Sequence, residues 1–358
     1  MHSMRHDTRS EYLQWVQTRK PAKFNLAVSG ILPCPLAALG ARIEDLEING
    51  PSMYGFAPLQ QAISAHCSVP VESVVAASGT TAANFVAMAA IIEPGDEVLI
   101  EKPAYDPLIA VAQYLGADVK RFQRASGFSS KMISNRTKLI VVTNLHNPTC
   151  EPLEESELRN IGNLAKEVGA RVLVDEVYLE CMYEKTESAF HYGREFVCTS
   201  SLTKAYGLSG LRCGWILAAP ELARRIWHIN DLINTHPPHP AEQLSVMAFR
   251  RLEHLATRAK TLLNTNRALV REFIASCPHI EVDLPQYGTC IFPRLKSGDA
   301  DGFFELIHNR YDTDVVPGRF FEMPDHFRLG IGGDPVILKE GLQRLLAALS
   351  EPRGGARA

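Results

Sequence analysis

The sequence predicts an α/β fold, with a mostly parallel sheet sandwiched by helices and a smaller α+β domain attached. Two observations carry this. Short apolar, β-branched runs alternate with segments of helical periodicity as far as about residue 220, the pattern of βαβ units. Beyond that point the alternation gives way to long helices and scattered short strands. The 358 residues suffice for one large domain with a satellite, and 46% hydrophobic against 22% charged residues is ordinary globular composition.

The strand candidates, in order, are 73–77 (SVVAA), 97–100 (EVLI), 138–143 (KLIVVT), 171–174 (RVLV), 196–199 (FVCT) and 213–218 (CGWILA), each ending at a polar or glycine-bearing turn. Helical patterns over 82–92, 106–115 and 153–168 lie between them, and 221–231 and 240–277 read as long helices. Short strands are expected near Cys290 and Phe327. Prolines 237, 238 and 240 mark a joint, because proline removes a backbone donor and breaks helices. The expected division is therefore a large domain over 53–236 and a small domain over 237–358, with residues 1–52 packing against the latter.

With 37 Lys and Arg against 40 Asp and Glu, the formal charge of −3 gives no reason to expect nucleic acid as a partner. The N-terminus lacks the apolar core of a signal peptide, and no stretch is apolar for long enough to span a bilayer, so a cytoplasmic location is expected. The eight cysteines contain no close pair of the zinc-ribbon or redox type and read as reduced thiols. His236 and His239 have no accompanying carboxylate or thiol cluster, so no metal is expected.

In a doubly wound sheet, ligands bind beyond the carboxyl ends of the strands, so the residues just after each apolar run are the informative ones. Ser78, Gly79 and Thr80 follow the first run and open a helix, which suits either a phosphate on free backbone amides or a plain N-cap. Asp175 ends the run 172–174, where a carboxylate must be paired, hydrated or aimed at a ligand such as a protonated ring nitrogen. Tyr178, three residues on, and Asn147, in the turn before Pro148, can each donate a hydrogen bond to a phenolate oxygen; core packing and turn formation are their alternatives. Lys204 closes Ser200-Ser201-Leu202-Thr203-Lys204 at the end of another strand. A desolvated lysine there near other cations has a depressed pKa and attacks aldehydes.

Taken together, Ser201-Leu202-Thr203-Lys204, Arg212 eight residues later, Asp175-Glu176-Val177-Tyr178 placed 29 residues before the lysine, and His146-Asn147-Pro148-Thr149 resemble the class I/II aminotransferases of pyridoxal-phosphate fold type I. The resemblance spans most of the chain. It implies pyridoxal 5′-phosphate as cofactor, carried by Lys204 with its ring nitrogen on Asp175. Ser78, Gly79, Thr80, Ser201 and Arg212 would hold the phosphate, Tyr105 would stack on the ring, and Asn147 and Tyr178 would face its phenolate oxygen. It further implies a homodimer in which Tyr54 reaches the neighbouring subunit's phosphate. Arg328 would grip the substrate carboxylate, and Gly30, in the segment 25–30, would leave room for the amino acid. Cys150 departs from the pattern, since relatives usually carry glycine after the equivalent threonine, and this puts the local turn geometry in question.

The implied reaction moves an amino group from an L-amino acid to a 2-oxo acid in a ping-pong cycle. The rival on the same fold is elimination or cyclisation of the carbon–sulfur lyase or amino-acid cyclase kind. A DNA-binding sensor is disfavoured because the first fifty or so residues lack a basic helix-turn-helix pattern, and a nucleotide-binding sheet because neither G-x-G-x-x-G after the first strand nor a P-loop is present.

Overall fold

The computed structural model describes residues 8–184 and 186–351. The outermost parts of the expected segments 1–52 and 237–358, residues 1–7 and 352–358, lie outside the described residues.

Seven strands form the central sheet: β1 (Val74–Ser78), β2 (Glu97–Lys102), β3 (Asp118–Gln123), β4 (Thr137–Thr143), β5 (Arg171–Asp175), β6 (Phe196–Ser201) and β7 (Cys213–Leu217). They lie in the order β1-β7-β6-β5-β4-β2-β3. All are parallel except β7, which runs against both of its neighbours. Six of the seven coincide with the apolar runs of the sequence.

Those runs are continuous rather than alternating because both sheet faces are covered. Successive side chains point to opposite faces, so Val141 packs with Val75, Val86, Leu173 and Ile216 on one side, while Val142 packs with Val174, Phe196 and Trp215 on the other. Helices Gly79–Ala89, Asp106–Tyr114 and Pro220–Asn230 supply apolar residues to the first side, and Ala57–Cys67 and Glu155–Val168 to the second.

A separate apolar cluster unites the C-terminal part with the N-terminal segment. Leu26 and Ile31 join Leu263, Phe303, Phe327, Leu329 and Leu345 in it. Phe24–Asn25 pairs in parallel with Thr313–Asp314, and Phe327–Gly330 is the middle strand of a small antiparallel sheet, between Cys290–Ile291 and Val316–Pro317. The stretch 240–277 is not continuous: helix His239–Phe249 ends, and Leu252–Ser276 begins after Arg251 leaves helical geometry. The first piece packs on Ala57–Cys67 and the second on Pro335–Ser350, so the break falls where the chain passes from one core to the other.

Candidate active site

The carboxyl ends of β4, β5 and β6 place Thr143, Asp175 and Thr199 side by side in register. Asp175 is buried at 4% exposure and has no basic partner at hydrogen-bond distance among the described residues. It accepts instead from Asn84 Nδ2 (2.8 Å) and from the Val177 backbone N–H (3.1 Å). The Asn84 amide is fixed in turn, because its Oδ1 accepts from the Thr199 hydroxyl at 2.6 Å. Burial pushes the Asp175 carboxyl up to about 6, and the Asn84 and Val177 bonds only partly oppose it. A carboxylate in that state gains most from a cation delivered into the cavity.

Lys204 lies in the short helix Thr203–Tyr206 directly after β6. Its Nζ donates to Ser29 Oγ at 3.0 Å. Burial first, and the Arg328 charge second, bring its pKa down to about 8. The segment 29–31 lies against it: Ile31 N–H donates to the Lys204 carbonyl (3.1 Å), and a Cβ on Gly30 would sit 3.5 Å from Lys204 Cδ. Absence of a side chain at Gly30 thus leaves space beside the lysine.

Arg328, on Phe327–Gly330, is 1% exposed, yet no carboxylate lies within ion-pair distance of it among the described residues. Its two terminal nitrogens donate to Asn147 Oδ1 (3.0 Å) and Tyr12 Oη (2.8 Å), and its Nε finds no partner among the described residues. A structural salt bridge, the alternative for such an arginine, is therefore not what buries it. A buried guanidinium without a counter-charge is costly unless an anion arrives. Because Asn147 Oδ1 is taken by Arg328, its Nδ2 is left to donate elsewhere. The turn carrying Asn147 is braced by His146, which donates from Nε2 to the Pro103 carbonyl (3.0 Å) and meets the Thr149 hydroxyl at Nδ1 (2.8 Å). Burial, reinforced by Arg124, holds His146 down at about 4, so it braces as a neutral ring.

At the opposite end of the cavity, Gly79 starts helix Gly79–Ala89 with φ +79°, where a Cβ would fall 2.2 Å from an Arg212 terminal nitrogen. Only glycine leaves the helix amides open beneath that guanidinium. Arg212 donates to the Ser78 carbonyl at 3.1 Å, and the Thr80 hydroxyl donates to Ser201 Oγ at 2.9 Å. The Thr203 hydroxyl is buried without a partner among the described residues. Free amides, three hydroxyls and a guanidinium form a donor set fitted to a phosphate dianion.

Thr80, Tyr105, Asn147, Asp175, Tyr178, Ser201, Lys204, Arg212 and Arg328 thus line one cavity of ≈ 140 Å³, with Ser78, Gly79 and Gly30 against its wall. Tyr54 does not reach it. It lies 54% exposed, its ring 5.9 Å from Trp227, in a separate surface depression. Asn84, Tyr12 and Ser29 also line the cavity and were not singled out from sequence. Asn84 carried a signal, a lone amide on the buried face of an apolar helix. Tyr12 carried none, because its bond to Arg328 spans 316 residues. Cys150 does take up the left-handed conformation that glycine favours, with φ +62°. His239 faces Ser52 and Glu242, and no group of His, Cys, Asp or Glu suited to a metal occurs among the described residues.

The family model described as aminotransferase class I and II matches residues 47–345. Capreomycidine synthase of Streptomyces vinaceus is 29% identical over 334 residues, covering 89% of this chain and 84% of that protein. An aspartate aminotransferase of Sulfurisphaera tokodaii is 28% identical over 323 residues, covering 82% and 80% respectively. A PLP-dependent aminotransferase from Streptococcus suis shares the fold, with TM-score 0.87 over 95% of this chain and 97% of that one, at 24% identity.

Proposed function

Because the chain belongs to the class I and II aminotransferase family, we propose that it moves an amino group from an L-amino acid to a 2-oxo acid in two half-reactions on pyridoxal 5′-phosphate. The observation that carries this reading is the meeting, in one cavity, of a buried lysine of lowered pKa, a buried carboxyl of raised pKa and a buried arginine with no counter-charge. Pyridoxal phosphate, when bound, supplies the electron sink into which the substrate's α-carbon electrons move.

The residues then divide the remaining tasks. Asp175 keeps the ring nitrogen protonated, with Asn84 aiming its carboxylate. Ser78, Gly79, Thr80, Ser201 and Arg212 hold the phosphate, Tyr105 covers the ring face, and Tyr178 and Asn147 Nδ2 donate to the phenolate oxygen. Arg328 receives the substrate carboxylate, and Gly30 leaves room beside it. Lys204 Nζ would hold the cofactor, and as a free amine would take the proton from the substrate's α-carbon, acting as base and then acid. Elimination or cyclisation uses the same proton abstraction and is the second reading, since the relatives include a capreomycidine synthase as well as aminotransferases.

We place the enzyme in the cytoplasm as a homodimer, with residues 1–52 packing against a small domain over 237–358, whose first helix, His239–Phe249, lies on the large domain over 53–236, and with the partner subunit's Tyr54 completing the phosphate site. The support is physical: Ile43, Ile48, Met53, Tyr54, Leu232 and Ile233 are large apolar residues left more than half exposed. The eight cysteines are all free thiols, and no helix among the described residues is long and apolar enough to cross a membrane. Borohydride reduction of the cofactor-loaded protein, followed by peptide mapping, tests the site. The added mass is expected on Lys204 alone, and a label on any other lysine overturns the assignment.

A further inference from the structure

Cys150 and Cys290 form a buried thiol pair that the transfer chemistry leaves unused. They are 140 residues apart in sequence, with Sγ atoms 3.2 Å apart. Cys150 closes the turn that presents Asn147. Cys290 begins the strand Cys290–Ile291, which pairs directly with the Arg328 strand. The pair therefore bridges the two groups already joined by the hydrogen bond from Arg328 to Asn147.

The surrounding backbone makes room for it. Gly288 stands where a Cβ would fall 2.4 Å from Cys150 Sγ, so the thiol has its place only because residue 288 lacks a side chain. The two sulfurs are also chemically unequal. The hydrogen bond shared with Cys290, reinforced by the backbone N–H groups of Cys290 and Thr289 and the Arg267 charge, holds the Cys150 thiol below its ordinary range against the opposing effect of burial. The same bond, together with burial, pushes Cys290 up. Of these two fully buried sulfurs, Cys150 is the one on which negative charge is better held and Cys290 the one that better keeps its proton.

We propose that Cys150 and Cys290 are a reversible dithiol–disulfide modification site, oxidised by a small peroxide, that clamps the Asn147 turn to the Arg328 strand. The Cys150 thiolate attacks one peroxide oxygen; the O–O bond breaks, Cys150 becomes a sulfenic acid, and the released hydroxide takes a proton and leaves as water. The Cys290 sulfur, giving up its proton, attacks the Cys150 sulfur. The S–O bond breaks, the S–S bond forms, and a second water leaves. Two thiols are oxidised by two electrons and one peroxide is reduced to two waters.

A disulfide bond of about 2.05 Å draws the sulfurs together by roughly 1 Å. To the extent that the turn passes this displacement on to Asn147, three residues before Cys150, turnover is expected to slow, on the order of tenfold to a hundredfold for a full ~1 Å shift. The cross-link rests on geometry alone, whereas its effect on turnover rests on the amino-transfer reading.

The experiment treats the holoenzyme with hydrogen peroxide, alkylates the remaining thiols, and maps unreduced peptides while following activity. A peptide joining residues 150 and 290, an activity loss of about tenfold or more, and recovery on adding dithiothreitol are expected. Cys150→Gly, which suits the left-handed turn, should lose the cross-link and keep its activity in peroxide. Oxidation of the partly exposed Cys34 and Cys67 while residues 150 and 290 remain free thiols overturns the site. A cross-link that leaves turnover unchanged, or equal inactivation of Cys150→Gly, overturns the clamp. The peptide map reads the cross-link even if the enzyme proves not to transfer amino groups.

Discussion

At Lys204, the amine is buried among groups that disfavour its charge, and its pKa of about 8 has a direct kinetic consequence. Only the neutral amine attacks an aldehyde. The rate at which cofactor-free protein captures pyridoxal phosphate, followed by visible absorbance, should therefore rise with pH to a midpoint near 8 and level off above it. A midpoint near that of an ordinary lysine would show that the amine is solvated.

The sequence made Lys204, Asp175 and Asn147 legible as candidates because each follows an apolar run, where a polar group needs a reason to be. Asn84 and Tyr12 show the limit of that logic. Asn84 matters through its bond to Asp175, 91 residues away, and Tyr12 through one made from the other end of the chain. Neither relationship has a local pattern.

Among the elements, β5 and the turn after it carry two adjacent buried carboxyls, Asp175 and Glu176. Glu176 accepts from Ser188 Oγ and from the Ala189 N–H, both at 2.7 Å, and burial pushes it up to about 7. A carboxyl whose pKa is raised on folding binds a proton in the native state that the unfolded chain releases. Stability contributed by that proton is fully present below about pH 4.5 and is lost as pH rises through about 7. Glu176→Gln keeps the acceptor for Ala189 without the charge. It should raise the melting temperature of the cofactor-free protein at pH 8, by up to about 3 kcal/mol in stability, and change it little at pH 4.5. Equal effects at both pH values would contradict the ionisation account.

Six sheet strands were readable because two-sided burial makes them apolar throughout. β3 was not, since its residues DVKRFQ form an edge strand: Lys120 there is half exposed, and Arg121 folds back onto the Ile100 and Glu101 carbonyls and Glu322. The break near Arg250 was equally silent. It has neither glycine nor proline, and its cause is the change of packing partner.

The whole molecule is where Tyr54 acquires a meaning. It lies outside its own chain's cavity, so its proposed role requires a second subunit. Mixed dimers test this directly. Lys204→Ala and Tyr54→Ala homodimers should each be inactive or weak, but reassembly together should restore activity. A hybrid holds one site with an intact lysine and the partner subunit's intact Tyr54. Absence of complementation, with hybrids shown to form, would confine Tyr54 to a local role. The two-core arrangement serves the site in a similar way: the sheet supplies Asp175, Asn147 and Lys204, while the N- and C-terminal segments together bring Tyr12 and Arg328 over them.

The most direct measurement of amino-group transfer is stoichiometric. The cofactor-loaded enzyme is mixed with single L-amino acids in the absence of any 2-oxo acid, and the products are quantified per active site. Transfer requires one equivalent of the corresponding 2-oxo acid and then arrest, with turnover resuming only when a 2-oxo acid acceptor is added. Continuous release of ammonia and pyruvate, or steady formation of a cyclised amino acid without an acceptor, would contradict it and establish the elimination or cyclisation chemistry instead.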